Sequence, residues 1–500
     1  MSDNPPTASN APAGHLGWLV WAVPAGAAVL IATGSDGLWG LSAGAVMTIV
    51  VTAWMAVWWV TEVVPIAATS MLPLVAFPLL GVGSAKAVAQ SYFNPFIVLL
   101  MAGFMAALAL ERWAVHRRMA LAVLDRVGSS PRRLVLGMMI AAAFMSMWIS
   151  NTATTLVMLP IAMALVSWAR QAEPTREPEI RRFGLALLLG LAYAASVGGL
   201  GTPIGTPPNL IAMGTYQAEF GTAISFVEWM TFGLPTVIIM IPLMWLLLTR
   251  LLHRVPADLD VGGEAIIARE RAAQGPWSSD QKSVAWVFGC MALLWVTREI
   301  KLSGGAVYGW APLLGLSGTV HDSTVAVLGA IVLFALPSRT QRGQRLLDWP
   351  TARKIPWEVV LLFGGGIAIA GAFKSTGLSK AIAEELGVLL TYPLPIVVLT
   401  IALVVTFLTE VTSNTATATV LMPVLAGVAS DASHLASPLI IMVPAVLSCS
   451  CAFMLPVATA PNAIVYGTEM VEIRQMARTG LWLNLVGALV VTSVSLAFFY

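Results

Sequence analysis

Ser146 to Pro160 reads SMWISNTATTLVMLP, and at its centre Ser150, Asn151 and Thr152 set hydroxyl and amide groups into a long apolar run. An unpaired polar group inside a bilayer costs several kcal/mol, so such a cluster needs a reason. A second copy, TEVTSNTATATVLMP from Thr409 to Pro423, carries Ser413, Asn414 and Thr415, with Asn414 lying 263 residues after Asn151. Two polar knots at matching places in one hydrophobic chain suggest a site shared between two halves.

The composition fixes the class. The 500 residues are 58% hydrophobic and 10% charged, with a mean hydropathy of +0.83. Soluble domains carry about 25% charged residues, so this composition describes a polytopic, all-α membrane protein. The net charge of +2 says nothing about nucleic acid, and no basic stripe with interleaved aromatics points to it as a partner. Met1 to His15 is polar, rich in Pro and Ala and without a basic n-region, so it reads as a cytoplasmic tail before a retained span. Cys290, Cys449 and Cys451 fall in apolar segments, and the C-S-C spacing fits neither a zinc pair nor a C-x-x-C redox motif. They read as small buried hydrophobes.

A span needs about 20 apolar residues. Working outward from the first knot, spans are expected near 17–34, 38–60, 64–82 and 95–112, then a basic amphipathic surface helix carrying Arg117, Arg118, Arg126, Arg132 and Arg133. The apolar region that follows, about 131–168, is flanked on its far side by Arg170, Arg176, Arg181 and Arg182. With both flanks basic, the positive-inside rule makes it a re-entrant hairpin entering from the cytoplasm, with the polar knot at its tip. Next come a span at 183–200, a Gly/Pro break from Gly198 to Asn209, a span near 226–249 and a charged cytoplasmic linker at 253–281 between the halves 16–252 and 282–500. Spans near 282–298 and 322–338 follow, with an ambiguous piece at 304–316. A final pair comprises one that starts near Pro438 and breaks at Ala458 to Asn462, and one at 480–500.

The two halves echo each other. VLLMAGF (Val98 to Phe104) returns as VLLFGGG (Val360 to Gly366) 262 residues later, and GTPPN (Gly205 to Asn209) returns as ATAPN (Ala458 to Asn462) after 253. An odd number of crossings between the copies inverts the second, so its hairpin, about 391–428, should enter from outside. On this topology Lys86, Arg298, Lys301, Lys374 and Lys380 lie outside and the other 22 of the 27 Lys and Arg lie inside. The expectation is about eleven spans plus two opposed hairpins in an inverted repeat, N-terminus in and C-terminus out, in a plasma membrane, for a bacterium the inner membrane.

Broken helices meeting at mid-membrane in an inverted repeat are a transporter signature. Helix N-termini favour an anion, while freed carbonyls, hydroxyls and amide oxygens suit a hard cation such as Na⁺. No Arg, Lys or His lies in either tip or either break. An anion held there needs dipoles, hydrogen bonds and co-bound cations, which argues for cation coupling. No H-E-x-x-H, facing Asp pair or G-x-S-x-G supports an intramembrane enzyme, and two closed tips do not make a channel.

With the paired Ser-Asn-Thr motifs, the Thr206-Pro207-Pro208-Asn209 break and the stretch MLPVATAPNAI (Met454 to Ile464), the chain resembles the divalent anion/sodium symporter family of sodium-coupled di- and tricarboxylate transporters. The resemblance covers the chain beyond its N-terminal tail. It implies a homodimer whose protomers carry a scaffold domain and an elevator-type transport domain holding both hairpins. It puts one Na⁺ among Ser146, Ser150, Asn151 and the Gly199 carbonyl, and a second among Thr409, Thr412, Asn414 and the Ala458 carbonyl. The substrate carboxylates would meet Ser150, Asn151, Thr152, Ser413, Asn414 and Thr415, with Thr206, Thr459 and Ala460 nearby. Where the family often has a second Thr-Pro-Pro-Asn, this chain has Thr459-Ala460-Pro461-Asn462, which frees one N–H.

Three further features are read as structural. Glu410, aligned with Met147, has no symmetric partner; Gly364 to Gly366 suit close helix packing; and Trp58 and Trp59 suit an interfacial belt. The function expected is Na⁺-coupled symport of C4 dicarboxylates of the succinate, malate or fumarate type into the cell. A dicarboxylate exchanger of the same fold, or a sulfate or tricarboxylate carrier, is the alternative.

Overall fold

The computed structural model describes residues 17–32, 40–301, 307–386, 391–432 and 435–500. The expected cytoplasmic tail, the end of the span expected at 17–34 and the start of the piece 304–316 lie outside the described residues.

Up to Leu252 the chain runs through α1 (Leu19–Ala32), α2 (Ala43–Thr61), α3 (Ile66–Thr69), α4 (Leu72–Leu79), α5 (Ala85–Ser91), α6 (Pro95–Arg112), α7 (Val115–Val127), α8 (Pro131–Ser146), α9 (Asn151–Ala172), α10 (Glu177–Gly198), α11 (Pro207–Phe220) and α12 (Phe226–Leu246). A polar connection holds α13 (Gly263–Gln274). Then follow α14 (Ser279–Val296), α15 (Trp310–Leu313), α16 (Asp322–Ala335), α17 (Trp349–Ala352), α18 (Trp357–Ser375), α19 (Leu378–Leu386), α20 (Leu394–Thr409), α21 (Asn414–Asp431), α22 (Leu439–Ser448), α23 (Ala460–Tyr466) and α24 (Ile473–Phe499). Among the described residues, seven helices are long and apolar enough to cross a membrane, and five apolar helices of 10–17 residues accompany them. The molecule is a polytopic α-helical membrane protein.

Several boundaries differ from the sequence reading for identifiable reasons. The span expected at 64–82 is split into α3 and α4 at Ser70 and Met71, with Pro73 in the first turn of α4, where its missing N–H does no harm. The piece 304–316 contributes a two-residue antiparallel pairing, Ile300 opposite Tyr308 and Lys301 opposite Val307, and the single turn α15. The last helix begins at Ile473, so Arg474 and Arg478 stand in its first turns and not in a loop. Trp59 is no interfacial anchor: it is 2% exposed and its indole donates to Ser70 Oγ at 3.1 Å.

Close packing is concentrated around two helices. Every residue of α10 from Phe183 to Gly198 is buried, as is α22 from Ile440 to Ser448. Helices α8 and α9 lie on α10, while α20, α21 and α24 lie on α22. The short helices after the breaks cross over: α11 packs against α21 and α22, and α23 packs against α9 and α10. Elements from before and after the polar connection therefore pack against one another.

Small residues permit these approaches. A methyl group on Gly198 would lie 2.3 Å from the Ala143 carbonyl oxygen and 2.4 Å from its Cα, both backbone atoms of α8. Methyls on Gly364, Gly365 and Gly366 would meet Tyr92, the Ser70 carbonyl and Thr419 respectively, all within 2.8 Å, so the triple glycine serves close packing of α18. The substitution Gly198→Ala is therefore expected to overpack the α8–α10 crossing, costing about 1–3 kcal/mol or more. By contrast, Gly371→Ala places its methyl in open space on α18 and is expected to be neutral or stabilising by up to about 1 kcal/mol. Thermal unfolding of the two variants in detergent checks the contrast.

Candidate functional site

The first tip is the turn Met147 to Ser150 between α8 and α9. Ser150 caps α9, its hydroxyl accepting from the Ala153 N–H at 3.1 Å, which satisfies one of the donors a helix start leaves free. Ser146, fully buried, brings its Oγ to 2.5 Å from Asn151 Oδ1 and to 2.6 Å from the Ala195 carbonyl oxygen. One hydroxyl proton can serve only one of these two acceptors. Gly199 sits against the same amide: a methyl there would lie 3.1 Å from Asn151 Oδ1.

The second tip repeats this arrangement with other residues. Thr409 Oγ1 lies 2.6 Å from Asn414 Oδ1 and 3.0 Å from the Cys449 carbonyl oxygen, again two acceptors for one proton. Ser413 precedes α21 as its cap residue but its side chain makes no capping bond. Thr412 turns its hydroxyl to Thr417 Oγ1 at 2.6 Å and to the Leu408 carbonyl at 2.9 Å.

Behind each tip a helix is interrupted, and the same side chain repairs each interruption. The Asn209 amide donates to the Gly199 and Thr202 carbonyls at 2.9 and 2.8 Å. The Asn462 amide donates to the Ala452 and Leu455 carbonyls at 3.1 and 3.0 Å. Both asparagines are fully buried. The second helix unwinds from Cys449, about ten residues before the break expected at Ala458 to Asn462, and the Asn462 amide bonds back into that unwound segment. Pro207 and Pro461 restart the chain in the first turns of α11 and α23.

The ties between tip and break differ in kind. In the first half the Thr202 hydroxyl donates to the Met147 carbonyl at 2.5 Å. In the second, Glu410 is 3% exposed, and its carboxylate accepts from the backbone N–H of Phe453 (2.6 Å), Met454 (2.8 Å) and Leu455 (3.1 Å) and from Asn484 Nδ2 at 2.7 Å. A buried carboxylate with four donors is a fastening, and Glu410 is occupied in holding the tip to the unwound segment.

Two cavities adjoin the tips; the first tip lines both and the second tip lines one. One, of about 390 Å³, is lined by Asn151 and Thr152 from the first tip and by Thr412, Ser413, Asn414, Thr415, Ala458, Thr459 and Ala460 from the second tip and break, with Trp59, Val60 and Glu62 at the end of α2. The other, of about 460 Å³, is lined by Ser150, Asn151, Thr152 and Thr206 and faces α6 and the start of α18. Asn151 and Thr152 line both. Ser146, Gly199 and Thr409 line neither and stand behind the tips. The N-termini of α9 and α21 open on the smaller cavity, where their unpaired N–H groups favour an anion. The sequence reading missed Ala195 and Cys449, because any residue supplies a carbonyl. It passed over Asn209 and Asn462 as ligand holders of the backbone, although their recurrence in both break motifs is a visible signal.

The family model described as "Sodium:sulfate symporter transmembrane region" matches residues 18–500. The sodium-dependent dicarboxylate transporter SdcS of Staphylococcus saprophyticus is 40% identical over 457 residues, covering 91% of this chain and 86% of that protein. SdcS of Staphylococcus aureus strain bovine RF122 is 40% identical over 452 residues, covering 90% and 85%. Among solved structures, the YdaH transporter of Alcanivorax borkumensis shares the fold with a TM-score of 0.55 at 14% identity, over 82% of this chain and 86% of that one.

The Glu410 fastening is open to test. Removing its carboxylate leaves three backbone N–H groups without acceptors, at about 1–3 kcal/mol for each buried donor. Thermal stability in detergent is expected to fall in the order wild type, Glu410→Gln, Glu410→Ala, since the amide keeps one acceptor oxygen. Equal stability of Glu410→Ala and wild type would remove the fastening role.

Proposed function

The chain belongs to the sodium:sulfate symporter transmembrane region family, and on that premise we propose how it moves its cargo. It is a secondary transporter and not an enzyme, and it couples dicarboxylate uptake to sodium. The dicarboxylate reading over sulfate is supported by the two SdcS relatives at 40% identity. The observation that carries the mechanism is the duplicated oxygen cluster behind the tips, Ser146, Asn151 and the Ala195 carbonyl in one half and Thr409, Asn414 and the Cys449 carbonyl in the other.

Each cluster gathers three neutral oxygens around one exchangeable proton, a donor set that suits a hard cation. One Na⁺ is held by Ser146, Ser150, Asn151 and the Gly199 carbonyl, with the Ala195 carbonyl adjoining. The other is held by Thr409, Thr412, Asn414 and the Ala458 carbonyl, with the Cys449 carbonyl adjoining. The dicarboxylate lies between the tips on Asn151, Thr152, Asn414 and Thr415, with Ser150, Ser413, Thr206, Thr459 and Ala460 around it. With no Arg or Lys in the tips, the two cations and the helix dipoles supply the positive field. Empty sites therefore bind the anion poorly, and that dependence is the coupling.

The tips, the breaks and α24, which packs on α20 and α22, form the moving body; α2, α6 and α18, with α14 and α16 packed on α6, form the scaffold of a homodimer, and both cavities lie between the first-named elements and α2, α6 and α18. The helix pairs α8–α9 and α20–α21 are re-entrant hairpins entering from opposite sides. The arginine-rich ends are cytoplasmic by the positive-inside rule. Glu111 and Lys354 stand at that end of the larger cavity, which supports an inward-facing arrangement.

Uptake of labelled succinate into proteoliposomes under Na⁺, Li⁺ or K⁺ gradients tests the reading. Accumulation is expected with Na⁺ outside and no dicarboxylate inside. Uptake that requires internal dicarboxylate and ignores Na⁺ would replace symport by exchange. Asn151→Ala and Asn414→Ala are each expected to lower uptake at least about tenfold, the factor that 1.4 kcal/mol represents, without changing the elution of the folded protein.

A further inference from the structure

The tips carry no cationic side chain, yet the cavity of about 460 Å³ beside the first tip is lined by one, Lys354, and by one acid, Glu111. The wall opposite the tip is a single stripe of α6, Phe104, Ala107, Leu108 and Glu111, completed by Lys354, Pro356 and Val359. Their neighbours are already committed. Arg112 Nη1 lies 2.6 Å from Asp348 Oδ2, and the same guanidinium donates to Gln344 Oε1 at 2.7 Å and to Thr351 Oγ1 at 3.2 Å. That clamp fixes α17 on the end of α6. The chain then turns, the Lys354 N–H donating to the Thr351 carbonyl at 3.1 Å, and Pro356 starts the approach to α18. Among the described residues neither Lys354 nor Glu111 has an ion-pair partner.

We propose that Lys354 and Glu111 steer the cargo through this cavity, Lys354 acting on the anion and Glu111 on the cation. The inference rests on the transport reading above and adds two residues that neither hold the bound cargo nor belong to the duplicated motifs. The physical basis is field focusing. Charges on the wall of a cleft bounded by low-dielectric material raise the local concentration of an oppositely charged ligand, and salt screens the effect. A dianion leaving Asn151 and Thr152 passes an unpaired ammonium, and its cation passes an unpaired carboxylate. Because both groups stand on one cavity only, the effect belongs to one face of the membrane. The smaller cavity has Glu62 as its charged lining residue and no cation.

The experiment measures succinate KM separately at each face, in intact cells and in inverted vesicles. At about 10 mM ionic strength, where the screening length is about 30 Å, Lys354→Gln is expected to raise KM about five- to tenfold at the face where the cavity opens. The opposite face should keep its KM, the difference should vanish near 1 M salt, and Lys354→Arg should restore it. Glu111→Gln is expected to raise the half-saturating Na⁺ concentration at the same face while leaving the succinate KM in place. A KM that Lys354→Gln leaves unchanged, changes equally at both faces, or changes independently of salt overturns the steering role. Wild-type protein without sodium-driven succinate uptake would overturn the transport reading and the inference with it, whereas normal wild-type uptake with any of those three results overturns the inference alone.

Discussion

Every backbone N–H and C=O at membrane depth needs a partner, and this fold depends on how that demand is met where helices stop. Two helices are interrupted in its most buried region, one after Gly198 and one after Ser448. Each interruption frees carbonyls that no helix can satisfy. Asn209 and Asn462 supply two N–H donors apiece, each spanning two carbonyls of its own break. A side-chain amide is the smallest neutral group that can do this without bringing a charge.

With the breaks held, the tips can be positioned against them, and there the halves part company. The first uses a neutral hydroxyl from Thr202 on a carbonyl; the second uses the Glu410 carboxylate on three successive N–H groups. In both halves the tip accepts and the break donates, but the first tip accepts through a main-chain carbonyl from one hydroxyl and the second through a side-chain carboxylate from three N–H groups. The unwound segment Phe453 to Leu455 offers Glu410 N–H groups that no helix uses, where Leu200 and Gly201 remain in a helical turn. Duplication thus preserved the position of the tie and changed its chemistry.

Much of the site was legible in the chain. Ser150, Asn151 and Thr152 with Ser413, Asn414 and Thr415 stood out as polar residues in apolar runs at a constant offset. The structure gathers Asn151, Thr152 and the second triplet around one cavity. Less legible were contacts through the main chain. Ala195 and Cys449 approach the tips by their carbonyl oxygens, and a carbonyl leaves no trace in residue identity. Trp59 misled for a related reason: a tryptophan near a span end suits a lipid interface, but here it is packed in a buried cluster and its indole bonds to Ser70.

Sequence alone determined that this is a membrane protein with duplicated halves, and where each half puts its polar knot, because hydropathy and repeat offset are properties of a linear string. Tertiary structure decided which groups share a cavity. Helix α11 crosses to α21 and α22, and α23 crosses to α9 and α10, so residues roughly 200 to 300 positions apart become neighbours. Lys354 meets Glu111 at the first tip's cavity just after the segment that Arg112 clamps to the end of α6. Side chains act over a few ångströms in space, and separation along the chain does not measure that distance.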